Sequence, residues 1–419
     1  MIRHILKIIW NERRINIWLL LEYVLVFCLL WFCSDFLYTT AKTFLQPTGF
    51  DTEHTYQVVL SQKTGDAAQE LPPEMDEYSM ALTLMERLKR YPAIEAVSMS
   101  DRNSIPYNLS RNQRTVRIDT DSMFMFNVWD RRVSSGFFDV FRIDLSHSAQ
   151  FDPQDEGSKN KLILVPDNKG NFGQTPVEQV HALGNYNQEP DRYRAIGYTT
   201  PLKSNPFDSY RPAVFFYLHR DNMRVQREIS IRVRPEADHN FVEQFKKEMS
   251  EQLNIGNYYL SSVVSFEKKK QDAYYYSGTD NELNSIYSVT IFLIVNVFLG
   301  ILGSFWFRTQ SRRSEVGLRI ALGASPGKVR SLLLGETLLL LSVAAIAGTL
   351  ICLHIGSTDL IETIGIPYTD REEMGIGIEQ DFINFGLTFG FLALVSVIAV
   401  SYPARQAART QPAEVLHEE

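Results

Sequence analysis

Residues 286–307 read IYSVTIFLIVNVFLGILGSFWF, without a single charged side chain. A helix rises about 1.5 Å per residue, so a segment of this length crosses the roughly 30 Å hydrocarbon core of a bilayer. Comparable apolar segments begin at Ile17, Ser331 and Phe382. Together they predict an α-helical membrane protein with four transmembrane helices, at residues 15–38, 286–307, 331–353 and 382–402.

The first apolar segment, IWLLLEYVLVFCLLWFC at residues 17–33, raises the question of a signal peptide. Its apolar core is longer than that of a signal peptide, and Asp35 and Tyr38 follow where a cleavage site needs small residues. We therefore expect it to be a retained span.

Basic residues indicate how the chain crosses the membrane. They cluster before the first span and at residues 308–330, whereas acidic residues dominate the loop at residues 354–381. Because loops rich in lysine and arginine stay in the cytoplasm, residues 308–330 and both termini, including the tail at residues 403–419, are predicted to be cytoplasmic. Residues 39–285 and the loop at residues 354–381 are then extracytoplasmic.

The N-terminal residues 1–14 carry isoleucine and leucine at helical spacing, with basic residues between them. This pattern fits a cytoplasmic amphipathic helix lying in the inner-leaflet interface. A simple continuation of the first span fits equally well.

Residues 39–285 contain no further apolar segment and resemble a soluble α/β protein. Residues 56–60 and 229–233 read as strands, and each is followed by a segment with helical spacing. In the second segment Asp238 is positioned to cap the helix that carries Phe241 and Phe245. We predict a large extracytoplasmic α/β (α+β) domain between the first and second spans, made of a split α/β subdomain with a β-rich subdomain inserted into it.

The pentapeptide GASPG, Gly323 to Gly327, matches the G-x-S-x-G pattern of serine hydrolases. The oxyanion site of such an enzyme uses the backbone N–H of the residue after the serine, and here that residue is Pro326. A helix at residues 315–322 that ends at Gly323 is the better interpretation, with Ser325 as the N-cap of the next helix. We call residues 308–330 the elbow.

Bulk composition excludes several classes of function. The 419 residues carry a net charge of −7, which offers no basic surface for nucleic acid. The histidines and the three cysteines show no metal-ligand spacing, so neither a metal nor another cofactor is expected. No G-x-x-x-x-G-K-[ST] sequence occurs, so the chain is not expected to be an ATP-hydrolysing enzyme.

Three stretches carry a family resemblance. They are RSEVGLRIALGAS at residues 313–325, YPARQAARTQPAEVL at residues 402–416 and VSSGFFDVFRIDL at residues 133–145. The chain resembles the MacB/FtsX-like ABC transporter permeases, which include the macrolide exporter MacB, lipoprotein-release permeases and the cell-division protein FtsX. With its order of spans and domain, the resemblance extends over essentially the whole chain, except that MacB carries a fused ATPase.

The resemblance implies a stand-alone permease of the bacterial inner membrane that works with a separate cytoplasmic ATPase. It would pass ATP-driven movement to a MacB-type periplasmic domain for efflux of antibiotics, peptides or similar cargo. Implied partners are a second permease, identical or related, surrounding lipid, a periplasmic adaptor and an outer-membrane duct. Two alternatives stay open: an FtsX-like transmitter that regulates an envelope hydrolase, and a lipoprotein-release permease.

The resemblance also implies that the elbow docks on the ATPase. The coupling role would fall on Glu315, Gly317, Arg319, Leu322, Gly323, Ala324 and Ser325. Glu315 and Arg319, four residues apart, could instead only pair with each other. Two further acids, Glu22 and Glu336, lie inside predicted spans and should face another helix or the cytoplasmic interface.

Overall fold

The fold is taken from a computed structural model, which describes residues 13–68, 70, 72, 75–118, 123–146, 151–152, 161–167, 172, 180–182, 193–311, 313–322, 324–356 and 378–408. The chain divides into two compact units. The membrane unit contains the long apolar helices up to Ala41 and from Asn281 onward. The sheet domain consists chiefly of Lys42–Asp280. The predicted segments at residues 1–14, 354–381 and 403–419 lie wholly or partly outside the described residues.

The described part of the membrane unit is built from five helices. They are α1 (Arg13–Leu45), α6 (Thr279–Ser311), α7 (Arg313–Ala321), α8 (Pro326–Gly356) and α9 (Ile378–Ala408). Four of them, all except α7, are long and apolar enough to cross a membrane, which confirms the prediction of four apolar helices. Each contains one of the predicted segments and extends beyond it. The fourth, α9, continues past Pro403 for one more turn.

The core of the membrane unit is formed by apolar side chains from all of these helices, among them Phe27, Ile301, Leu341 and Leu392. Only 11 % of the apolar stretch of α6 is buried within the unit, against 39 % for α1 and for α9. Most of the α6 surface is therefore left for lipid or for another polypeptide.

The described part of the sheet domain contains ten strands in one continuous sheet. In chain order they are β1 (Thr55–Gln62), β2 (Ile94–Ser100), β3 (Gln113–Ile118), β4 (Met123–Val133), β5 (Lys161–Val165), β6 (Val180–Ala182), β7 (Arg194–Tyr198), β8 (Ala213–Tyr217), β9 (Glu228–Val233) and β10 (Tyr258–Ser265). The order across the sheet is β10-β1-β9-β2-β4-β8-β5-β7, and β3 pairs with both β4 and β6. Most pairs are antiparallel, while β4–β8 and β5–β7 are parallel.

Among its described residues the sheet domain also has four shorter α-helices: α2 (Glu77–Lys89), α3 (Phe137–Phe141), α4 (Phe241–Met249) and α5 (Phe266–Ser277). The apolar faces of α2 and α4 form one core with the strands β1, β2, β9 and β10. Phenylalanines of α3 and α5 form a second core, in which Phe137 and Phe141 meet Phe215 and Phe266. Neighbouring strands thus come from both ends of residues 42–280. The strand β1, which follows α1 in sequence, lies beside β10, which leads toward α6.

The prediction that Asp238 caps the following helix is wrong. The N-cap of α4 is Asn240, which has a positive φ of 56° and makes no side-chain capping bond. Asp238 instead accepts hydrogen bonds from His54, just before β1 (2.6 Å), and from Tyr56 within β1 (2.5 Å). A local capping signal has been overridden by a contact between distant parts of the chain.

Candidate functional site

The elbow is a short helix followed at once by a long one. The last turn of α7 is closed by hydrogen bonds from the amide of Leu322 to the carbonyl of Leu318 (3.0 Å) and from Ala324 to Arg319 (2.9 Å). The next helix, α8, begins at Pro326, where the missing N–H costs nothing because the first helical amides have no intrahelical acceptor. The carbonyl of Ser325 accepts from the amide of Lys328 (2.9 Å), so Ser325 occupies the position that precedes the helix.

Side chains of the elbow divide into an inner and an outer set. Val316 and Val329 are buried in the core of the membrane unit, and Ile320 and Ala324 pack against it. Leu318 and Leu322 point outward and are 55 % and 80 % exposed. The inner set fixes α7 on the bundle, and the outer pair, four residues apart on one face of the helix, is available for contact with another molecule.

The structure describes only part of the residues expected to couple to an ATPase. Gly323 lies outside the described residues, as do the side chain of Glu315 and the surroundings of Gly317, so the Glu315–Arg319 pair stays a prediction. Leu322 and Ser325 are exposed, and Arg319 and Ala324 are half-buried. The sequence prediction did not include Leu318, which is exposed on the same face of α7 as Leu322. Its spacing of four residues from Leu322 was the signal that could have identified it.

Polar side chains buried in the membrane unit connect α1 to α9. Asp35 accepts a hydrogen bond from the side-chain amide of Asn384, whose oxygen in turn accepts from Gln380 (3.0 Å). Tyr23 donates to Ser396 at 3.2 Å, further along the same two helices. Because unsatisfied polar groups are costly in a membrane interior, these bonds fix the register between α1 and α9. The sequence prediction gave Asp35 no role beyond flanking the first apolar segment.

The two acids expected within spans both face protein. Glu336 is fully buried in the membrane unit. The carboxylate of Glu22 lies against Gly300 of α6, where an added Cβ would come within 2.2 Å of the Glu22 Oε1 atom. Each acid therefore marks a helix–helix contact, as expected for an ionisable group inside a span.

A glycine on α8 allows α1 to approach closely. A Cβ added at Gly348 would lie 2.6 Å from Cδ1 of the buried Phe27. Overpacking of this kind costs about 1–3 kcal/mol, so Gly348→Val is expected to lower the thermal midpoint of the chain in detergent. Gly390→Val on α9 is the matched control, because nothing lies within 4 Å of a Cβ added there. Equal midpoints for the two variants would contradict the close contact.

A cleft of about 520 Å³ opens on the sheet domain beside the start of β1. Its walls carry the cluster of Asp238 with His54 and Tyr56, together with the acids Glu53 and Glu267. Burial and the Asp238 carboxylate raise the pKa of Tyr56, which keeps its hydroxyl protonated as a donor. Among the described residues, no group of three or more histidine, cysteine or acidic side chains is arranged to hold a metal ion.

Residues 287–412 match the protein family described as FtsX-like permease C-terminal. This range contains the elbow and the helices α8 and α9. A curated relative is the probable syringafactin export ATP-binding/permease protein SyfD of Pseudomonas syringae pv. tomato, 23 % identical over 301 residues. That alignment covers 68 % of this chain and 41 % of the relative, so the chain spans less than half of the relative's length.

Solved structures similar to this chain include the periplasmic region of MacB from Actinobacillus actinomycetemcomitans, at 13 % identity and a TM-score of 0.32. The match covers 55 % of this chain and 96 % of that one. A permease-protein domain from Porphyromonas gingivalis is similar at 13 % identity and a TM-score of 0.30, over 52 % of this chain and 92 % of that domain. The family match thus identifies residues 287–412, which include the elbow and the C-terminal helices, as similar to the C-terminal domain of FtsX-like permeases.

Proposed function

We propose that this chain is the membrane subunit of an ABC-type exporter and that it passes ATP-driven movement from a separate cytoplasmic ATPase to its sheet domain. The observation that carries the proposal is the elbow. There, two leucines project outward from a helix that is itself anchored in the membrane unit by Val316. Exposed apolar side chains on a short, well-fixed helix suit a protein–protein contact.

These 419 residues contain no phosphate-binding G-x-x-x-x-G-K-[ST] loop, and in this proposal a separate ATPase supplies the energy. The relative from Pseudomonas syringae is named as both ATP-binding and permease protein, which supports an ATPase working with a membrane region of this kind. We place the elbow on the cytoplasmic side on the basis of its positive charge, and the sheet domain on the outer side.

The composition of the helices favours transmission of movement over passage of cargo through the spans. Neither residues 286–307 nor residues 382–402 contain a charged side chain, so they offer little to line an aqueous path. In this proposal the sheet domain moves cargo such as antibiotics or peptides on the outer side of the membrane. The permease would work as a dimer with itself or a related chain, together with an adaptor and an outer-membrane duct.

The test is to purify the chain with the ATPase that accompanies it in mild detergent and to reconstitute both in lipid nanodiscs. We expect ATP hydrolysis by the ATPase to rise several-fold when the permease is present. A single cysteine introduced at Ser325 should react with a membrane-impermeant maleimide only after the cells are opened, and one at Leu109 should react in intact cells with a permeable outer membrane. Unchanged hydrolysis, or labelling of position 325 from outside, would refute the proposal. Co-purification of an envelope hydrolase would favour the FtsX-like alternative.

A further inference from the structure

A loop of the sheet domain holds the end of α1. The loop comprises residues 201–211, between β7 and β8, and we call it the clasp. The Lys203 ammonium group donates to the carbonyl of Thr43 in the last turn of α1, and the backbone amide of Lys203 donates to the carbonyl of Thr48 (3.0 Å). The Tyr210 hydroxyl donates to the carbonyl of Pro47 at 2.6 Å. Three bonds thus tie the clasp to the segment that leaves α1.

Lys203 is fully buried, which is costly for a charged group unless its surroundings compensate. Compensation comes from the Thr43 carbonyl, from the Pro206 carbonyl at 3.5 Å and from the Tyr210 ring, whose centroid lies 5.0 Å from the Lys203 Nζ atom. The last carbonyls of a helix have no intrahelical donor and lie at the negative end of its dipole, so a cation is the partner that suits them.

The clasp also contacts α5, the helix that leads toward α6. The ring of Phe207 lies between two others, with its centroid 5.1 Å from that of Phe44 at the end of α1 and 5.2 Å from that of Tyr274 on α5. Only Gly278, in the left-handed conformation, separates α5 from α6. One loop therefore touches both segments by which the sheet domain continues into apolar helices.

Close approach is required where the clasp meets the chain after α1. Gly49 has a φ of +79°, and a Cβ added there would lie 2.4 Å from the carbonyl oxygen of Pro201. A larger residue at position 49 would be strained and would push the clasp away. The contact is thus specified by backbone geometry as well as by the buried lysine.

We propose that the clasp is the joint through which displacement of α1 and α5 reaches the sheet, with Lys203 as its positioning residue. The inference rests on the proposed function, since a joint is needed only if movement is passed on. A continuous helix such as α1 moves as a rigid rod, and a rod delivers displacement only where its end is fixed to the body that must move. Lys203 supplies that fixation by holding the end of the helix from inside the domain.

The first experiment measures the joint alone, by hydrogen–deuterium exchange of the full chain in nanodiscs. Lys203→Met keeps the apolar stem and removes the charged donor. Because a hydrogen bond to a charged group is worth about tenfold or more in an equilibrium constant, exchange in residues 42–50 and 201–211 should rise about tenfold. Lys203→Arg should restore protection, and Lys89→Met, at an exposed lysine on α2, should change nothing. Unchanged protection in Lys203→Met would overturn the proposal.

A second readout uses the charge itself. Burial lowers the pKa of Lys203 to about 8, against the opposing effect of Asp208. Between that pH and the usual lysine pKa of about 10.4, the unfolded chain binds more protons than the folded one, so this group makes stability rise with pH. Burial also raises the pKa of neighbouring Tyr210, which therefore stays protonated in this range. Lys203→Arg should lack the rise between pH 7 and 9.5, and a rise identical to that of the wild type would show that Lys203 is not the buried cation.

The third experiment adds the co-purified ATPase and compares exchange in β1 and β9 with and without ATP. The wild type and Lys203→Arg should show a nucleotide-dependent change. Lys203→Met should keep its stimulation of ATP hydrolysis within about twofold and lose about nine-tenths of that change, as expected when a coupling contact is removed. If Lys203→Met shows the same nucleotide-dependent change as the wild type, the proposal that the clasp is the joint is overturned. Stimulated ATP hydrolysis with no nucleotide-dependent change in exchange in the wild-type sheet would also overturn it. Absence of stimulated hydrolysis would instead refute the proposed function itself.

Discussion

Replacing Leu322 with aspartate is expected to weaken the binding of the ATPase to this chain by about 30-fold, the equivalent of a hot-spot loss of ~2 kcal/mol. Leu322 follows the last residue of α7, and its side chain is 80 % exposed. A partner that covers it would have to bury a carboxylate in place of an apolar side chain. The measurement is the ATPase concentration that gives half-maximal stimulation by the reconstituted permease.

Leu109→Asp is the control for this prediction, since Leu109 is a half-exposed leucine of the sheet domain, outside the proposed contact. It should leave the half-maximal concentration unchanged. Leu318→Asp, one turn before Leu322 on α7, should act in the same direction as Leu322→Asp. If Leu322→Asp and Leu109→Asp bind the ATPase equally well, the elbow is not the docking site, whatever the behaviour of the sheet domain.

The elbow could be predicted from sequence because its signals are local. Pro326 suits the first position of a helix, and the valine and isoleucine at positions 316 and 320 follow helical spacing, so the helix–turn–helix needs no knowledge of the rest of the chain. The four apolar helices are equally local, because a bilayer selects them by length and composition. Which side chains of α7 point outward depends on the bundle beneath it, and this explains why the sequence prediction did not include Leu318.

Contacts between distant segments could not be predicted. The Asp35–Asn384 bond joins residues 349 positions apart, and the bond from Tyr56 that takes Asp238 from its expected cap spans 182 positions. Nothing near Lys203 in sequence indicates that it ends buried against Thr43. Such contacts follow from strand order, here with β9 and β10 flanking β1, and strand order is a property of the whole sheet.

Arg232 on β9 shows how much depends on one such contact. Its side chain is fully buried, and its Nε atom donates to the carbonyl of Val140 in α3 (2.7 Å). Its other nitrogens donate to the carbonyls of Asp51 (2.7 Å) and Glu53 (2.9 Å) and to the Asp51 carboxylate (3.2 Å). One guanidinium therefore joins the sheet to α3 and to the segment that follows the clasped end of α1.

Arg232→Met is expected to destabilise the sheet domain by about 3 kcal/mol, because three carbonyls lose this donor together and the Asp51 carboxylate keeps only Arg142 of its two arginine partners. Arg232→Lys should restore only part of this stability, since a single ammonium group cannot reproduce the forked geometry of the guanidinium. The measurement is urea unfolding of the full chain in detergent, followed by hydrogen exchange in β9.

Arg234→Met is the matched control, two residues along the chain, where an exposed guanidinium donates to the Pro92 carbonyl. Its effect should stay within about 0.5 kcal/mol, as is usual for a surface substitution. If both variants lose equally little stability, the buried guanidinium of Arg232 does not hold residues 51–53. The path from α1 into the sheet would then depend on the clasp alone, and Lys203→Met should disconnect the sheet completely.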